Sequence, residues 1–478
     1  IPDHPWVDAG DGAAVRIAMT VAEKAKATGR LLTVAEEVKA GPEMDGRRVT
    51  FDIQKGKIFA NLRIGADVAG AVKLASNAML SSQGVKLHGK GFLISEAQAR
   101  QFGYGKDERI GTLIRPFSNG MDIARTHRGL LAIDVYDRKI EDVRANHPDV
   151  FQWIFDNVKP QRDENKREHR KKFWWLYGDT FEDLRNAIDG LPRHIVTVRT
   201  SRYRYFVFKE FPHLPESGLV GIGLSDGWHM ATLSSKAHSL FMLATCGWLG
   251  AGNDPTYNNS ICFSKFPFPD PTEDQKARLR SLGEQLDAHR KDRQAAHPKL
   301  TLTQMYNVLE KLRAGDRIEG KDKDIYNDGL IGILRDLHDQ IDQAVADAYG
   351  WPADLSDDAI LHRLVDLNRE RAAEEARGHI RYLRPDYQNP QGRVVQAKGE
   401  QGAMDLGPKD VADKAPWPKS LPEQIAAVQA ALLDMGEATP EQIARQFVRG
   451  RAGTVQPLLE SLTALGQARP TEGGRFAV

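Results

Sequence analysis

The spacing of hydrophobic and polar positions changes character twice along the chain. Up to about residue 55, apolar residues come in short runs bounded by turn residues, which predicts strands. Ala13-Ala14-Val15-Arg16-Ile17-Ala18-Met19-Thr20 reads as a buried strand reached through the Pro-containing turn Ile1-Pro2-Asp3-His4-Pro5-Trp6, and Val49-Thr50-Phe51-Asp52-Ile53 closes the segment. Such a strand needs sheet neighbours, so the opening reads as the middle of a domain that begins upstream. From about 55 to 270 short helices and strands alternate. Ala69 to Leu80 has a helical pattern, and so does Ser234 to Ala244. Gly91-Phe92-Leu93-Ile94, Leu130 to Asp134, Ile195-Val196-Thr197-Val198 and Leu219 to Leu224 read as strands. Gly247 to Asn259 is turn-rich, and Phe266-Pro267-Phe268-Pro269-Asp270-Pro271 fits no regular element.

Beyond Pro271 the period becomes helical. Lys276 to Ala295, Leu302 to Arg313, Asp328 to Tyr349 and Asp357 to Leu383 carry apolar residues three and four apart between charges, as in a bundle or spacer. Arg384 to Lys419 is rich in Gly, Pro and Gln and poor in apolar residues, which predicts a linker. Three short helical patterns follow: Glu423 to Leu433, a stretch to Val448 that Thr439 caps with Pro440 in its first turn, and Thr454 to Leu465. Gly473-Gly474 then turns the chain into Arg475 to Val478. Helix, helix, helix, hairpin is the order of a winged-helix unit, a fold that binds DNA or protein. The expected class is α+β, with strands over 1–55, a mixed domain over 56–270, a helical spacer over 271–383, a linker over 384–419 and a winged-helix-like unit over 420–478.

Composition narrows the function. The chain has 478 residues, 41% hydrophobic and 27% charged, with net charge +1, so any nucleic-acid footprint must be local. Cys246 and Cys262 lack the paired spacing of a disulfide framework or zinc site, which fits two inert thiols in a reducing cytoplasm. No apolar run approaches a membrane span. His229, His238, His289 and His297 show no metal-ligand spacing. The glycines Gly221, Gly223 and Gly227, and Gly250 with Gly252, lack the strand, loop and helix context of a cofactor fold and read as turn or packing positions.

A local basic footprint lies between Lys159 and Lys209, with 13 Lys/Arg against 7 Asp/Glu. Lys166, Arg167, Arg170, Lys171 and Lys172 run into Phe173-Trp174-Trp175-Leu176-Tyr177. Phosphate contact with base stacking is one reading, and a solvated helix face followed by a core aromatic cluster is the other. Arg199, Arg202, Tyr203 and Arg204 follow the strand-like Ile195 to Val198. On a continuing strand, Arg202 and Arg204 would project to one face, where guanidinium forks suit phosphates or guanine edges. Asp254-Pro255-Thr256-Tyr257 is similar to the Asp/Asn-Pro-Pro-Tyr/Phe loop that holds the amine of a flipped base, but with Thr for the second Pro. A recognition loop fits better, with Asn253, Tyr257, Asn258 and Asn259 offering amide and hydroxyl groups.

Longer strings carry a resemblance. Ile1 to Trp6 with Ala13 to Thr20, His169-Arg170-Lys171-Lys172-Phe173-Trp174-Trp175-Leu176-Tyr177-Gly178, Gly190-Leu191-Pro192-Arg193-His194-Ile195-Val196-Thr197, and Gly250 to Pro269 resemble the later part of large bacterial adenine-specific DNA methyltransferases. These are class I, S-adenosylmethionine-dependent enzymes of type IIL or IIG-like restriction-modification and related phage-defence systems. The resemblance implies that 1–55 ends a catalytic domain and that 56–270 is a DNA target-recognition domain. It also implies that the cofactor loop and the catalytic loop lie upstream. Trp6 is then the candidate to stack on the flipped adenine, with no other catalytic residue here and no metal. The intact polypeptide would move a methyl group from S-adenosylmethionine to the adenine amine, with no cofactor expected on this chain alone. The implied partners are double-stranded DNA, the upstream methyltransferase domain and proteins of a defence system, in the cytoplasm and away from membranes. A stand-alone DNA-binding specificity module and a protein-interaction scaffold of a defence complex are the alternatives.

Overall fold

The computed structural model describes residues 18–22, 24, 28–39, 47–60, 62–125, 127–249, 254–392, 415–418, 421–444, 446–448, 451–464, 467–471 and 475–477. Two compact units divide the chain, residues 1–398 and 399–478. Trp6 and most of the expected strand Ala13 to Thr20 lie outside the described residues, while Ala18, Met19 and Thr20 are exposed and belong to no strand. The Val49 to Ile53 run does form a strand. β1 (Gly29–Lys39) pairs antiparallel with β2 (Arg47–Gly56), with a register shift between Val34 and Glu36. This two-stranded ribbon pairs with neither of the larger sheets.

Eight strands follow: β3 (Ser81–Gln83), β4 (Leu93–Ile94), β5 (Ile114–Ser118), β6 (Leu131–Ile133), β7 (Arg193–Val198), β8 (Phe206–Glu210), β9 (Leu214–Pro215) and β10 (Leu219–Ile222). They build two four-stranded sheets, β3-β10-β7-β8 and β4-β6-β5-β9. β7 is central to the first, with Ile195 opposite both Phe208 and Ile222. That position explains the unbroken apolar run Ile195 to Val198, since both faces of the strand are buried. The one hydroxyl in the run, on Thr197, donates to the Tyr205 carbonyl at 2.9 Å. In the second sheet, β5 runs antiparallel to β6 and parallel to β9. Phe92, Val150, Ile154, Trp174 and Tyr177 surround that sheet as a separate core.

The first core continues into the helices Glu273–Ala296, Leu302–Ala314, Ile331–Tyr349 and Asp357–Ala376. Thr272 and Thr301 open the first two with capping boxes closed by Gln275 and Gln304. Leu279, Leu286, Met305, Leu334, Ile341 and Leu364 share one cluster with Phe206, Phe208, Phe241 and Phe263. Gly283 meets Gly227 so closely that an added Cβ would lie 2.1 Å from the Gly227 carbonyl oxygen. The change at Phe266 to Pro271 therefore marks a switch of secondary structure rather than a break in packing, and the expected spacer is part of the body of the unit.

Two other expectations are corrected. Ala69 to Leu80 is not a helix but two 3-10 turns, Val68–Gly70 and Ala75–Asn77, separated by extended chain. Its backbone groups are satisfied from outside. Asn368 accepts from Val72 N and donates to Val72 O, both at 2.9 Å, and Glu375 accepts from Ala75 N at 2.7 Å and Ser76 N at 2.9 Å. These long-range bonds outweigh a modest local propensity. Likewise the start of the expected linker is docked. Arg384 donates to the Ala187 and Asp189 carbonyls, and Gln388 to those of Ser76 and Ala78. Residues 393–414 lie outside the described set.

The second unit has helices Leu421–Met435, Pro440–Ala444 and Ala452–Ala464, with a three-stranded sheet of Glu437–Ala438, Arg475–Ala477 and Arg469–Thr471 in that order. The middle helix stops at Ala444, short of the expected Val448, because Phe447–Val448 pairs with Ala415–Pro416. Thr439 does cap it, accepting from Gln442 N at 3.3 Å while Gln442 accepts from Thr439 N at 2.8 Å. Val428, Leu432, Ile443, Val455, Leu459 and Phe476 form the core of this unit. The protein is thus a mixed α/β chain of several small sheets and many helices.

Candidate functional site

A depression of about 940 Å³ in the first unit lies where loops from both sheets converge. The parallel pairing of β5 with β9 starts the convergence, with Ser118 opposite Pro215 and Glu216 N donating to Ser118 O at 2.9 Å. Asn119 then caps the helix Gly120–Ala124 in a capping box with Asp122, which sets Arg125 at its C-terminal end. From the other sheet, Arg199 follows β7. Its N–H donates to Gly218 O at 2.8 Å and its carbonyl accepts from Tyr257 N at 2.6 Å, so the backbone is clamped while the side chain stays exposed. A hairpin of β11 (Gly247–Leu249) and β12 (Asp254–Thr256) completes the wall. Trp248 and Leu249, side by side on this wall, are 44% and 54% exposed. Among the described residues no carboxylate pairs with Arg125 or Arg199.

Lys86 lines this cleft and also a neighbouring one of about 630 Å³ walled by His169, Arg170, Phe173 and Tyr136. It sits 3.5 Å from Asp179 and over the Phe181 ring at 5.5 Å. Each basic segment thus borders one of two depressions that share Lys86, the pair of which we call the track.

The first segment divides between the two readings of it. Lys166, Arg167 and Lys172 are exposed and Arg170 lines the track, while Lys171 pairs with Glu168 at 3.1 Å. Of the aromatics, Trp174 and Tyr177 belong to the core, and the Tyr177 hydroxyl donates to Ile133 O at 2.7 Å. Phe173 is half-buried at the track, with Lys172 over its ring at 5.4 Å.

The second segment requires a correction. Residues 199–205 form no strand, so Arg202 and Arg204 do not share a face. Arg202 is exposed and pairs with Glu310 at 2.9 Å, a carboxylate that also accepts from the Tyr203 hydroxyl at 2.5 Å. Burial, and then Glu310, push the Tyr203 phenol up to about 12. Arg204 turns inward. It donates to Val198 O and, at 3.4 Å, to Pro255 O, with its guanidinium 5.2 Å over the Tyr257 ring. Burial lowers its pKa, and no carboxylate pairs with it among the described residues. Arg204 is a brace for the cleft wall. Arg204→Ala is expected to cost about 2–4 kcal/mol of stability by leaving buried carbonyls unpaired, whereas Arg202→Ala should cost under about 1 kcal/mol. Urea melts of both variants check this.

The Asp254 to Asn259 segment is also corrected. Tyr257 is fully buried, with its hydroxyl on His238 Nε2 at 3.2 Å, so it offers neither a stacking face nor a free hydroxyl. Asn258 caps the π-helical turn Asn259–Phe263 by accepting from Ser260 N at 3.0 Å, and Asn259 donates to Ser81 O at 2.9 Å. Asn253 lies outside the described residues. The Asp-Pro-Thr-Tyr string is therefore a structural corner. Arg125, Lys86, Trp248 and Leu249 were not singled out by the sequence reading. The one legible signal was Trp248-Leu249, an apolar pair between Gly247 and Gly250 in a turn-rich stretch.

Of the glycines singled out in the sequence, Gly250 and Gly252 lie outside the described residues, and Gly221 and Gly223 are packing positions. A Cβ on Gly221 would meet Leu184 at 2.5 Å, and one on Gly223 the Ala187 carbonyl at 2.2 Å, so both serve to admit the helix Glu182–Ile188 against β10. Burial raises the Cys246 thiol to about 11 and also raises Cys262, which leaves both protonated near neutrality. Among the described residues no cluster could hold a metal ion, and no helix is long and apolar enough to cross a membrane.

With two interleaved sheets and an open loop-built cleft, residues 70–270 match a family of target recognition domains. The family is described as "MmeI, target recognition domain". A solved structure described as that of the type IIL restriction-modification enzyme MmeI in complex with DNA is similar in fold, with a TM-score of 0.50 and 18% identity. The similarity covers 69% of this chain and 40% of that one, so this chain spans well under half of that enzyme. No curated protein matches.

Proposed function

We propose that the first unit reads DNA sequence as the recognition part of a restriction-modification methyltransferase. The observation that carries this reading is the track itself: exposed, unpaired Arg125 and Arg199 flank exposed Trp248 and Leu249, and Arg170 extends the charge beyond Lys86, which pairs with Asp179. Guanidiniums that no protein carboxylate neutralises are suited to phosphates, and a tryptophan at the edge of the cleft can stack on or wedge between bases. The side-chain hydroxyls of Thr200 and Ser201 add the neutral donors and acceptors that base edges require. The DNA complex of MmeI supports the assignment by fold.

The catalytic half of the proposal rests on the sequence resemblance. In the intact polypeptide an upstream domain would bind S-adenosylmethionine and methylate a flipped adenine, as part of cytoplasmic restriction-modification or phage defence. The filling of Gly221 and Gly223 by helix packing supports placing that cofactor in the upstream domain. The role of this chain is then to place the target.

Selection from a randomised duplex pool tests the reading. One short motif should be enriched by this chain, and the intact polypeptide should methylate an adenine within it. Binding without enrichment of any motif would overturn sequence recognition. Methylation by this chain alone would overturn the division of labour.

A further inference from the structure

The helix Gly120–Ala124 presents Gly120, Met121 and Ala124 to the cleft, but Asp122 and Ile123 to a second cavity of about 360 Å³. Val207 and Phe208 of β8, with Leu300 and Leu302, make the apolar part of its lining. Its charged part sets Lys209, Lys291 and Arg125 against the single carboxylate of Asp122, with His127 and Gln294 beside them. The carboxylates that act on these groups are already engaged. Asp122 holds Arg128 through two bonds of 2.8 Å and closes the cap of its helix, while Asp287 takes Lys291 at 2.6 Å and the Phe208 N–H at 3.1 Å.

Lys209 is the exception. Its stem is half-buried on β8 between buried Phe208 and exposed Glu210, and among the described residues its ammonium has neither an ion-pair nor a hydrogen-bond partner. Burial, and then Lys291, lower its pKa. Asp287, which pairs with Lys291, and Asp122 offset this only in part, and a desolvated ammonium without a partner of its own is costly unless an anion joins it. His127 is oriented for the same task, because its Nδ1 accepts from Gly129 N at 3.2 Å and so leaves Nε2–H as a donor.

We propose that this cavity binds a phosphate group. Lys209 and Lys291 supply the charge, Arg125 closes the mouth on the cleft side, His127 and Gln294 donate hydrogen bonds, and the apolar lining takes the organic part of a phosphate ester. The cavity is of the size that encloses a small ligand, so the ester is a free mononucleotide or a nucleotide of a strand that overruns the cleft. The site does not depend on the DNA-reading proposal, since it is defined by Lys209 and not by the track.

The test uses the whole chain, with inorganic phosphate, adenosine monophosphate and a short duplex as probes, read by calorimetry and by the NMR signals of isotopically methylated lysines. Phosphate should bind in the millimolar range and move the Lys209 signal. Lys209→Met should weaken it on the order of tenfold or more, and Lys323→Met should not. Tighter binding of the mononucleotide, undisturbed by duplex, assigns a free nucleotide; displacement of phosphate by duplex assigns a strand. If Lys209→Met proves unstable, Lys291→Gln and the Lys209 signal of the unaltered chain carry the test. Absence of millimolar binding by either small probe, or binding that leaves the Lys209 signal in place, overturns the proposal.

Discussion

Lowering the pH from about 7 to about 5 is expected to destabilise the first unit by several kcal/mol, the largest effect that its buried groups imply. Burial pushes His194 down to about 4, and His229 and His238 down to about 3, from an ordinary value of 6.5. The unfolded histidines bind protons below about 6.5 while the folded ones remain neutral, so acid favours the unfolded chain. The stability that these residues provide is complete above about 6.5 and is lost as pH falls. The loss ends only at the folded values, about 4 for His194 and about 3 for the other two. Each histidine contributes up to about 1.4 kcal/mol per pH unit in that window, or about 4 kcal/mol together. His213 and His338 act in the same direction. Asp342 opposes them, because burial raises it to about 6 and acid then stabilises the fold through that one group. Urea midpoints at the two pH values read the result. Equal midpoints would contradict the buried, neutral state of these rings.

Trp248→Ala and the double change Arg125→Ala/Arg199→Ala are expected to give the largest losses of duplex affinity. The indole is 44% exposed beside two unpaired arginines, so its removal should cost about 1–3 kcal/mol of binding with little change in folding stability. Loss of the two arginines should cost at least as much at low salt and progressively less as salt rises, because released counterions drive that part of the affinity. Fluorescence anisotropy with one labelled duplex measures both. Loss of affinity at Arg202→Ala equal to that at the double change would move the contact surface toward the Glu310 side.

Much of the fold was legible because local pattern and burial agree. The run Ile195 to Val198 has apolar residues on both faces, and it is a central strand. Thr439 opens a helix where a hydroxyl precedes a helical period. The misreadings arise where distant residues decide. The segment of Val72, Ala75 and Ser76 is extended chain and turn rather than helix because Asn368 and Glu375, some 300 positions away, take its backbone groups. Arg204 and Tyr257 look like recognition residues in sequence and face inward because β7 ends at Val198 and the clamped backbone of Arg199 redirects the chain. Arg125 was not legible, since its place in the cleft depends on the parallel pairing of β5 with β9 across nearly a hundred residues. The basic segments were found; which of their arginines face outward depends on tertiary contacts that one sequence does not display.

The most direct measurement is the salt dependence of duplex binding by the chain and by Arg125→Ala/Arg199→Ala. If the cleft holds DNA through these two side chains, the logarithmic plot for the unaltered chain will fall steeply, and that of the double variant will be shallower by about two, roughly 0.9 for each phosphate contact removed. Parallel plots would show that neither arginine touches a phosphate and would contradict the placement of DNA in this cleft.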